Sequence, residues 1–244
     1  MPHSELTDRV ADLNARYRHH SAPAVLDGAL RDPQAGALAL VSSFGAESVV
    51  LLHMVAVTHP ATPVIFIDTR MLFAETLVYQ QELAERLNLR DMRIVHAEPR
   101  DLAEADPDGT LHARAPDACC ALRKTRPLAR ALAGFDGWIT GRKRFQSDTR
   151  ATLDFFEVEE RTGRIKVNPL AHWRREDLQT YMEENRLPRH PLVRQGYPSI
   201  GCMPCTTRVA PGEDPRAGRW RDREKTECGI HFAGGRVMRK GEDA

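Results

Sequence analysis

The chemistry this chain could perform rests on its five cysteines. Four form two pairs, the adjacent Cys119-Cys120 and Cys202-Met203-Pro204-Cys205, while Cys228 stands apart in the polar stretch Glu227-Cys228-Gly229-Ile230-His231. Cys202 and Cys205 have the separation by which one turn presents two thiolates to a metal, and Gly201 and Pro204 help shape that turn. Adjacent cysteines are unusual around zinc, whose ligand pairs are commonly separated by about two to four residues. An iron–sulfur cluster accepts neighbouring thiolates on different irons. A structural zinc site, or ordinary buried thiols at Cys119 and Cys120, are the plainer alternatives. Cys228 has no partner cysteine left, and Arg216, Arg219, Arg221, Arg223 and His231 lie near it in sequence, where they would favour its thiolate. The plain alternative there is an incidental exposed thiol. A thiolate close to an anion site suits attack on an activated, electrophilic group of a nucleotide.

Three polar segments supply candidate anion sites. Ser42 to Ser48 joins a short apolar run to a helical one through Ser43-Phe44-Gly45, so its backbone N–H groups and hydroxyls can cradle a phosphate at a helix N-terminus. No Gly-Lys-Ser/Thr follows, so it is not a Walker A loop. Asp68-Thr69 ends a second apolar run. The third segment, Gly141 to Arg150, carries Arg142, Lys143, Arg144 and Arg150 among hydroxyls and amides. A solvated charge run is its bland reading; its place after a strand, like the other two loops, favours anion binding.

The elements that must hold these loops follow from periodicity. Ala37–Val41 and Val64–Ile67 are short apolar runs, and with the strand candidates Met92–Val95 and Trp138–Thr140 they read as short buried strands. Helices are expected over Ala46–Val57, about Leu72 to Asn88, and near Cys120 to Ala133. This alternation predicts an α/β fold, a mostly parallel twisted sheet with helices on both faces and ligands beyond the carboxyl ends of the strands. Phe155–Glu159 and Arg164–Asn168 read as a strand pair across Thr162-Gly163, and Arg174–Arg186 as an amphipathic helix with Leu178, Tyr181 and Met182 on one face. Leu6, Val10 and Leu13 mark a helical start before Pro23 breaks the run. From Leu187 onward the chain is rich in Pro, Gly and Arg, and an irregular C-terminal tail is expected. Residues 1–36 form an N-terminal helical segment, 37–215 the α/β domain and 216–244 the tail with Cys228, in one structural domain overall.

Composition narrows the class. At 244 residues the chain can bury a substantial core, and a net charge of +1 is no sign of general nucleic-acid binding. No apolar run approaches membrane-spanning length. Five cysteines, an odd number in no framework pattern, argue against a secreted disulfide protein, and a cytoplasmic location is expected.

Together these motifs resemble the assimilatory adenylyl-sulfate (APS) reductases, close kin of the phosphoadenylyl-sulfate (PAPS) reductases, from about Ala37 to His231. The resemblance implies the adenine nucleotide α-hydrolase, ATP-pyrophosphatase-like fold. It makes Glu227-Cys228-Gly229-Ile230-His231 the catalytic signature, with Cys228 the nucleophile and His231 beside it. It makes Cys119, Cys120, Cys202 and Cys205 the ligands of one [4Fe-4S] cluster, a mark of the APS-using branch, and places Lys124 between cluster and substrate. Ser43, Gly45 and Glu47 fall in the phosphate-binding loop, and Asp68 at a nucleotide contact. Lys143, Arg144, Gln146 and Arg150 fall in the substrate-binding basic loop; Arg216 and Arg219 match arginines that hold the phosphosulfate. The implied chemistry is attack of Cys228 on APS, release of AMP, and discharge of an S-sulfocysteine by thioredoxin or a similar dithiol protein. A cluster that positions Lys124 and shapes the local field, without carrying electrons, suits those thiol steps. Gly229, Gly234 and Gly235 fit a tail that closes over substrate. Homo-oligomerisation is compatible with the sequence and not specified by it.

This chain departs from the family in three places. Asp68-Thr69 is followed by Arg70 where glycine is common, Lys143 stands where arginine is common, and Phe145 where an acid is common. Arg70 and Arg142 are the cations that could tolerate a 3′-phosphate. Two other classes compete. A sulfur-transferring tRNA thiolase would share the fold, but its Ser-Gly-Gly-x-Asp-Ser is here altered at Phe44 and Glu47, and RNA binding asks for a more basic chain. An iron–sulfur or zinc redox sensor, with Cys228 as its thiol, would need no nucleotide loop.

Overall fold

The computed structural model describes residues 3–221, 223 and 225, without the side chains of His3, Ser4 and Asp148. Cys228, His231, Gly229, Gly234 and Gly235 therefore lie outside the described residues. Six strands, β1 (Leu38–Ser42), β2 (Val64–Ile67), β3 (Met92–Val95), β4 (Gly137–Ile139), β5 (Phe156–Glu159) and β6 (Arg164–Val167), form one sheet in the order β3-β2-β1-β4-β6-β5. Every pairing is parallel except β5 with β6, the hairpin turned by Thr162-Gly163. Gly163 has φ of +62°, the left-handed conformation that a tight turn needs and a Cβ resists.

The chain runs outward from β1 to β2 and β3, then returns to add β4 and β6 on the other side of β1. This reversal makes the β1/β4 boundary the topological switch point, where loops splay apart and leave a crevice. The registers Leu38↔Gly137 and Leu40↔Ile139 bring the exits of those two strands together. The Ser42–Ser48 and Gly141–Arg150 loops thus face each other for a topological reason.

Helices cover both faces, as the alternation of runs requires. On one face α1 (His3–Tyr17), α2 (Ala22–Arg31), α3 (Ser48–Thr58), α4 (Ala74–Arg86) and α9 (Arg175–Glu184) bury Leu13, Leu26, Leu52, Leu83 and Leu178 against Leu40, Phe66 and Val167. On the other, Leu128 and Leu132, at α8 (Arg126–Ala131), pack on Ala39, Ile65 and Trp138. Alternate residues of β1 serve the two cores, which is the period of a strand buried on both sides. Two short helices, α5 (Pro99–Ala105) and α6 (Leu111–Arg114), bridge β3 to α7 (Pro116–Cys120).

Pro23 does not end a helix here. It sits in the first turn of α2, where its missing N–H costs nothing. The helix expected near Cys120 starts earlier, at Pro116, and contains a π turn, Ala121–Thr125, between α7 and α8. Beyond Leu187 the described chain forms only short 3-10 turns, Pro191–Gln195 and Met203–Cys205, with isolated bridges.

Candidate active site and cysteine centre

The first loop is built by a strained residue. Phe44 has φ of +48° and is wholly buried, its ring edge-on to Phe66 at 5.2 Å. A non-glycine residue in this region is held only by such packing. Around it, Phe44 N–H donates to Ser42 Oγ at 3.2 Å, and Gly45 N–H to Ser48 Oγ at 3.0 Å. These bonds curl the chain from β1 into α3, so Ser43, Gly45, Glu47 and Ser48 all line a cavity of about 240 Å³ at the switch point.

The opposing loop meets it through an ion pair. Lys143, its side chain only 3 % exposed, donates to Glu47 Oε2 at 2.7 Å, and Gln146 adds a donor at 3.3 Å. Burial works against both charges. In Glu47 the attraction of Lys143 and Arg175 outweighs it and holds the carboxyl below its usual range. In Lys143 burial wins and lowers the ammonium despite Glu47. Arg150 bonds to Gln146 and also lines the cavity. Arg144 does not, since its guanidinium turns outward to the Leu153 carbonyl at 2.7 Å and to Asp154 at 3.1 Å. Asp68 is likewise absent from the lining: it accepts the Arg70 N–H at 2.8 Å and stabilises the left-handed Arg70, φ +57°.

The cavity also has cations from other elements. Lys124, Arg216 and Arg219 all line the cavity. Arg219 donates to the Ile200 carbonyl at 3.2 Å, lies 4.5 Å from the Trp220 ring centre, and crosses Gly201. A Cβ at Gly201 would come within 2.3 Å of that guanidinium, so glycine keeps its path open. Lys124 is placed by the π turn, a local geometry often found where function displaces regular helix.

The same turn aims its neighbour elsewhere. Arg123 is buried, bonded to Asp106 at 2.6 and 3.3 Å and to the Thr69 carbonyl at 3.1 Å. Consecutive side chains therefore serve a buried ion pair and the cavity.

The four cysteines lie on two elements. Cys119 and Cys120 are buried at the end of α7; Cys202 precedes the 3-10 turn Met203–Cys205 and Cys205 ends it. That turn is held to the loop after β2 by the Met203 N–H to Met71 carbonyl bond, 2.8 Å, and by Thr69 Oγ1 at 3.2 Å from Cys202 Sγ. None of the four is in a disulfide. Burial pushes the Cys119 thiol up to about 11, with Arg123 opposing and Cys202, Cys205 and Asp106 adding to the rise. A set of four thiols with adjacent cations, Arg123 and Lys225, fits a cluster that requires four thiolates and leaves net negative charge. No three Cys, His, Asp or Glu among the described residues converge on a single ion.

Arg175 is a cavity residue that sequence reasoning missed. It opens α9, lies 5.3 Å from the Phe145 ring centre, and contributes to the field on Glu47. The only signal was the basic pair Arg174-Arg175 before a helix. Thr76, Ser199 and Asp214 also line the cavity, and nothing in their sequence context distinguishes them.

Comparison with known proteins gives a consistent result. The model of the phosphoadenosine phosphosulfate reductase domain matches residues 37–208. The chain is 48 % identical over 226 residues, 93 % of its length and 88 % of the relative's, to a protein of Mesorhizobium japonicum named adenosine 5′-phosphosulfate reductase. A protein of the same name from Chelativorans sp. (strain BNC1) is 47 % identical over 91 % of each chain. Among solved structures, the phosphoadenylyl-sulfate reductase of Candida auris, in a phosphate complex, superposes with a TM-score of 0.70 at 29 % identity, over 81 % of this chain and 96 % of that one.

Proposed function

The chain belongs to the phosphoadenosine phosphosulfate reductase domain family, and from that membership we propose that it reduces adenylyl sulfate to sulfite and AMP through an S-sulfocysteine at Cys228. The observation that carries this reading is one cavity lined by both the Ser43–Ser48 loop and the cations Lys124, Arg216 and Arg219. An anion-cradling loop sharing a cavity with three cations suits a nucleotide with a mixed phosphoric–sulfuric anhydride.

In this reading the Cys228 thiolate attacks the sulfate sulfur. An S–S bond forms, the S–O bond to the phosphate breaks, and its electron pair leaves on AMP. Two anions meet in that step, so Lys124, Arg216 and Arg219 are assigned to offset the charge as it develops, with His231 beside Cys228. A dithiol protein such as thioredoxin then attacks Cys228 Sγ and expels sulfite. Its second thiol resolves the mixed disulfide, which returns Cys228 as thiolate and supplies both electrons. Cys119, Cys120, Cys202 and Cys205 would hold a [4Fe-4S] cluster, whose charge acts on the neighbouring site. Glu47 is better assigned to neutralising and orienting Lys143 than to touching an anion. Such an enzyme would serve assimilation of sulfate toward cysteine in the cytoplasm.

APS is preferred to PAPS as substrate on two grounds. The relatives at 47 and 48 % identity carry the APS name. Arg142, a cation that could have met a 3′-phosphate, lines the cavity, but its guanidinium is held by Glu157 and by Asn168 at 3.1 Å. The test is sulfite release by anaerobically purified protein with reduced thioredoxin, APS against PAPS. APS preference is expected; release from PAPS alone would overturn the substrate, and release from neither would overturn the reaction. Cys228→Ser should form no S-sulfonated protein while retaining its iron chromophore, and loss of the chromophore would refute the division into four ligands and one nucleophile.

A further inference from the structure

The described residues that lead toward Cys228 are fastened to both halves of the cysteine set. At one end Arg219 bridges to Thr206, and Trp220 N–H donates to the Cys205 carbonyl at 3.0 Å. Arg223 then reaches the His112 carbonyl on α6 at 2.7 Å. At the other end Lys225, 7 % exposed, bonds to Asp117 on α7 and lies 3.5 Å from Cys120 Sγ and 5.8 Å from the Trp220 ring centre. The strip thus runs from the turn of Cys205 to the helix of Cys120.

A buried ammonium is costly unless counter-charges surround it. Asp117 is one, but its side chain is 52 % exposed and its charge is screened by water. A Cys120 thiolate would be a second and more enclosed one, and a metal-bound cysteine is a thiolate. Cys228 follows Lys225 by three positions, so holding Lys225 limits the reach of Cys228 to about 11 Å of extended chain.

We propose that Lys225 is a positioning residue that ties the chain entering Cys228 to Cys120 and Asp117, so that loading of the cysteine set holds the nucleophile's segment in register with the cavity. The proposal rests on the reading of the four cysteines as cluster ligands. It gives the cluster a task beyond its field: a charged peg for the strip that carries the nucleophile.

The test compares wild type, Lys225→Met, Lys225→Arg and the milder Asp117→Asn, purified anaerobically. Iron and labile sulfide per chain, AMP affinity, and the single-turnover rate of Cys228 S-sulfonation by mass spectrometry are measured on each. Lys225→Met should keep its iron and its AMP affinity but sulfonate roughly tenfold to a hundredfold more slowly, the scale of loss from a misplaced reacting group. Lys225→Arg should recover most of that rate. Asp117→Asn, altered at a half-exposed position, should slow the step in the same direction by a smaller factor and decides the matter if Lys225→Met does not fold. Iron removal from wild type should raise the alkylation rate of Cys228 toward that of Lys225→Met. Sulfonation at the wild-type rate in iron-replete Lys225→Met or Asp117→Asn would overturn the proposal. So would loss of iron in Lys225→Met, since Lys225 would then support the cysteine set itself. Wild type that binds no iron would instead refute the underlying cluster reading, a result visible before any variant is compared.

Discussion

Single residues decide which charges reach the cavity. Gly201 is glycine because the Arg219 guanidinium crosses it within 2.3 Å of where a Cβ would stand. Gly201→Ala should displace the arginine while leaving the backbone intact, because the clash is with the far end of a flexible side chain. AMP affinity should fall by roughly tenfold, about 1.4 kcal/mol, with little change in thermal midpoint, as titration calorimetry and melting would report. Glu47 makes a pH-dependent contribution. Its folded pKa lies below the ordinary 4.5, so its stabilisation is present above that value and is lost as pH falls through the folded pKa. Glu47→Gln should therefore flatten the loss of stability below about pH 4.5, seen in melts across the acidic range. Lys143, Gln146 and Arg150 were visible in the sequence as one basic segment; that Arg144 within it faces Asp154 was not, because the direction of a side chain in a 3-10 turn depends on neighbours far along the chain.

Elements carry the next layer of constraint. β4 needs a glycine where it passes β6, since a Cβ at Gly137 would sit 2.4 Å from the Ile165 carbonyl oxygen. Gly137→Ala must shift backbone, and a loss of about 1–3 kcal/mol in urea unfolding is expected. The Arg123–Asp106 pair joins the π turn to the loop before α6, where Asp106 also accepts the Leu111 N–H at 2.8 Å. Asp106→Asn would leave a buried guanidinium without its counter-charge, a loss of about 3–5 kcal/mol by the same measurement. β2 and β3 were legible to the residue: Val64–Ile67 is a four-residue apolar run, and Met92–Val95 is a strand-prone run around Arg93, each with polar or turn-forming neighbours. The π turn was not legible. Its sequence, Ala121-Leu122-Arg123-Lys124-Thr125, suits an ordinary helix equally well, and the extra residue per turn is selected by where Arg123 and Lys124 find partners.

At the scale of the whole molecule, one topological reversal makes the site. The loops after β1 and β4 are almost a hundred positions apart in sequence and meet only because those strands are neighbours in the sheet. The cysteine set is joined in the same way, by packing of α6, the neighbour of α7, against the turn of Cys202 and Cys205. Most element types, the two-sided burial of the central strands, the polar loops after them and the spacing of the five cysteines, two pairs and one apart, were readable from the chain alone. Those properties are local, set by side-chain period and residue chemistry over a few positions. The tertiary structure alone decided the strand order, the Glu47–Lys143 ion pair, the entry of Arg175, the outward turn of Arg144 and the stitching of Lys225 to Cys120. Each of these is a contact between distant parts of the chain, and its energy depends on a burial and a counter-charge that exist only once the sheet has assembled.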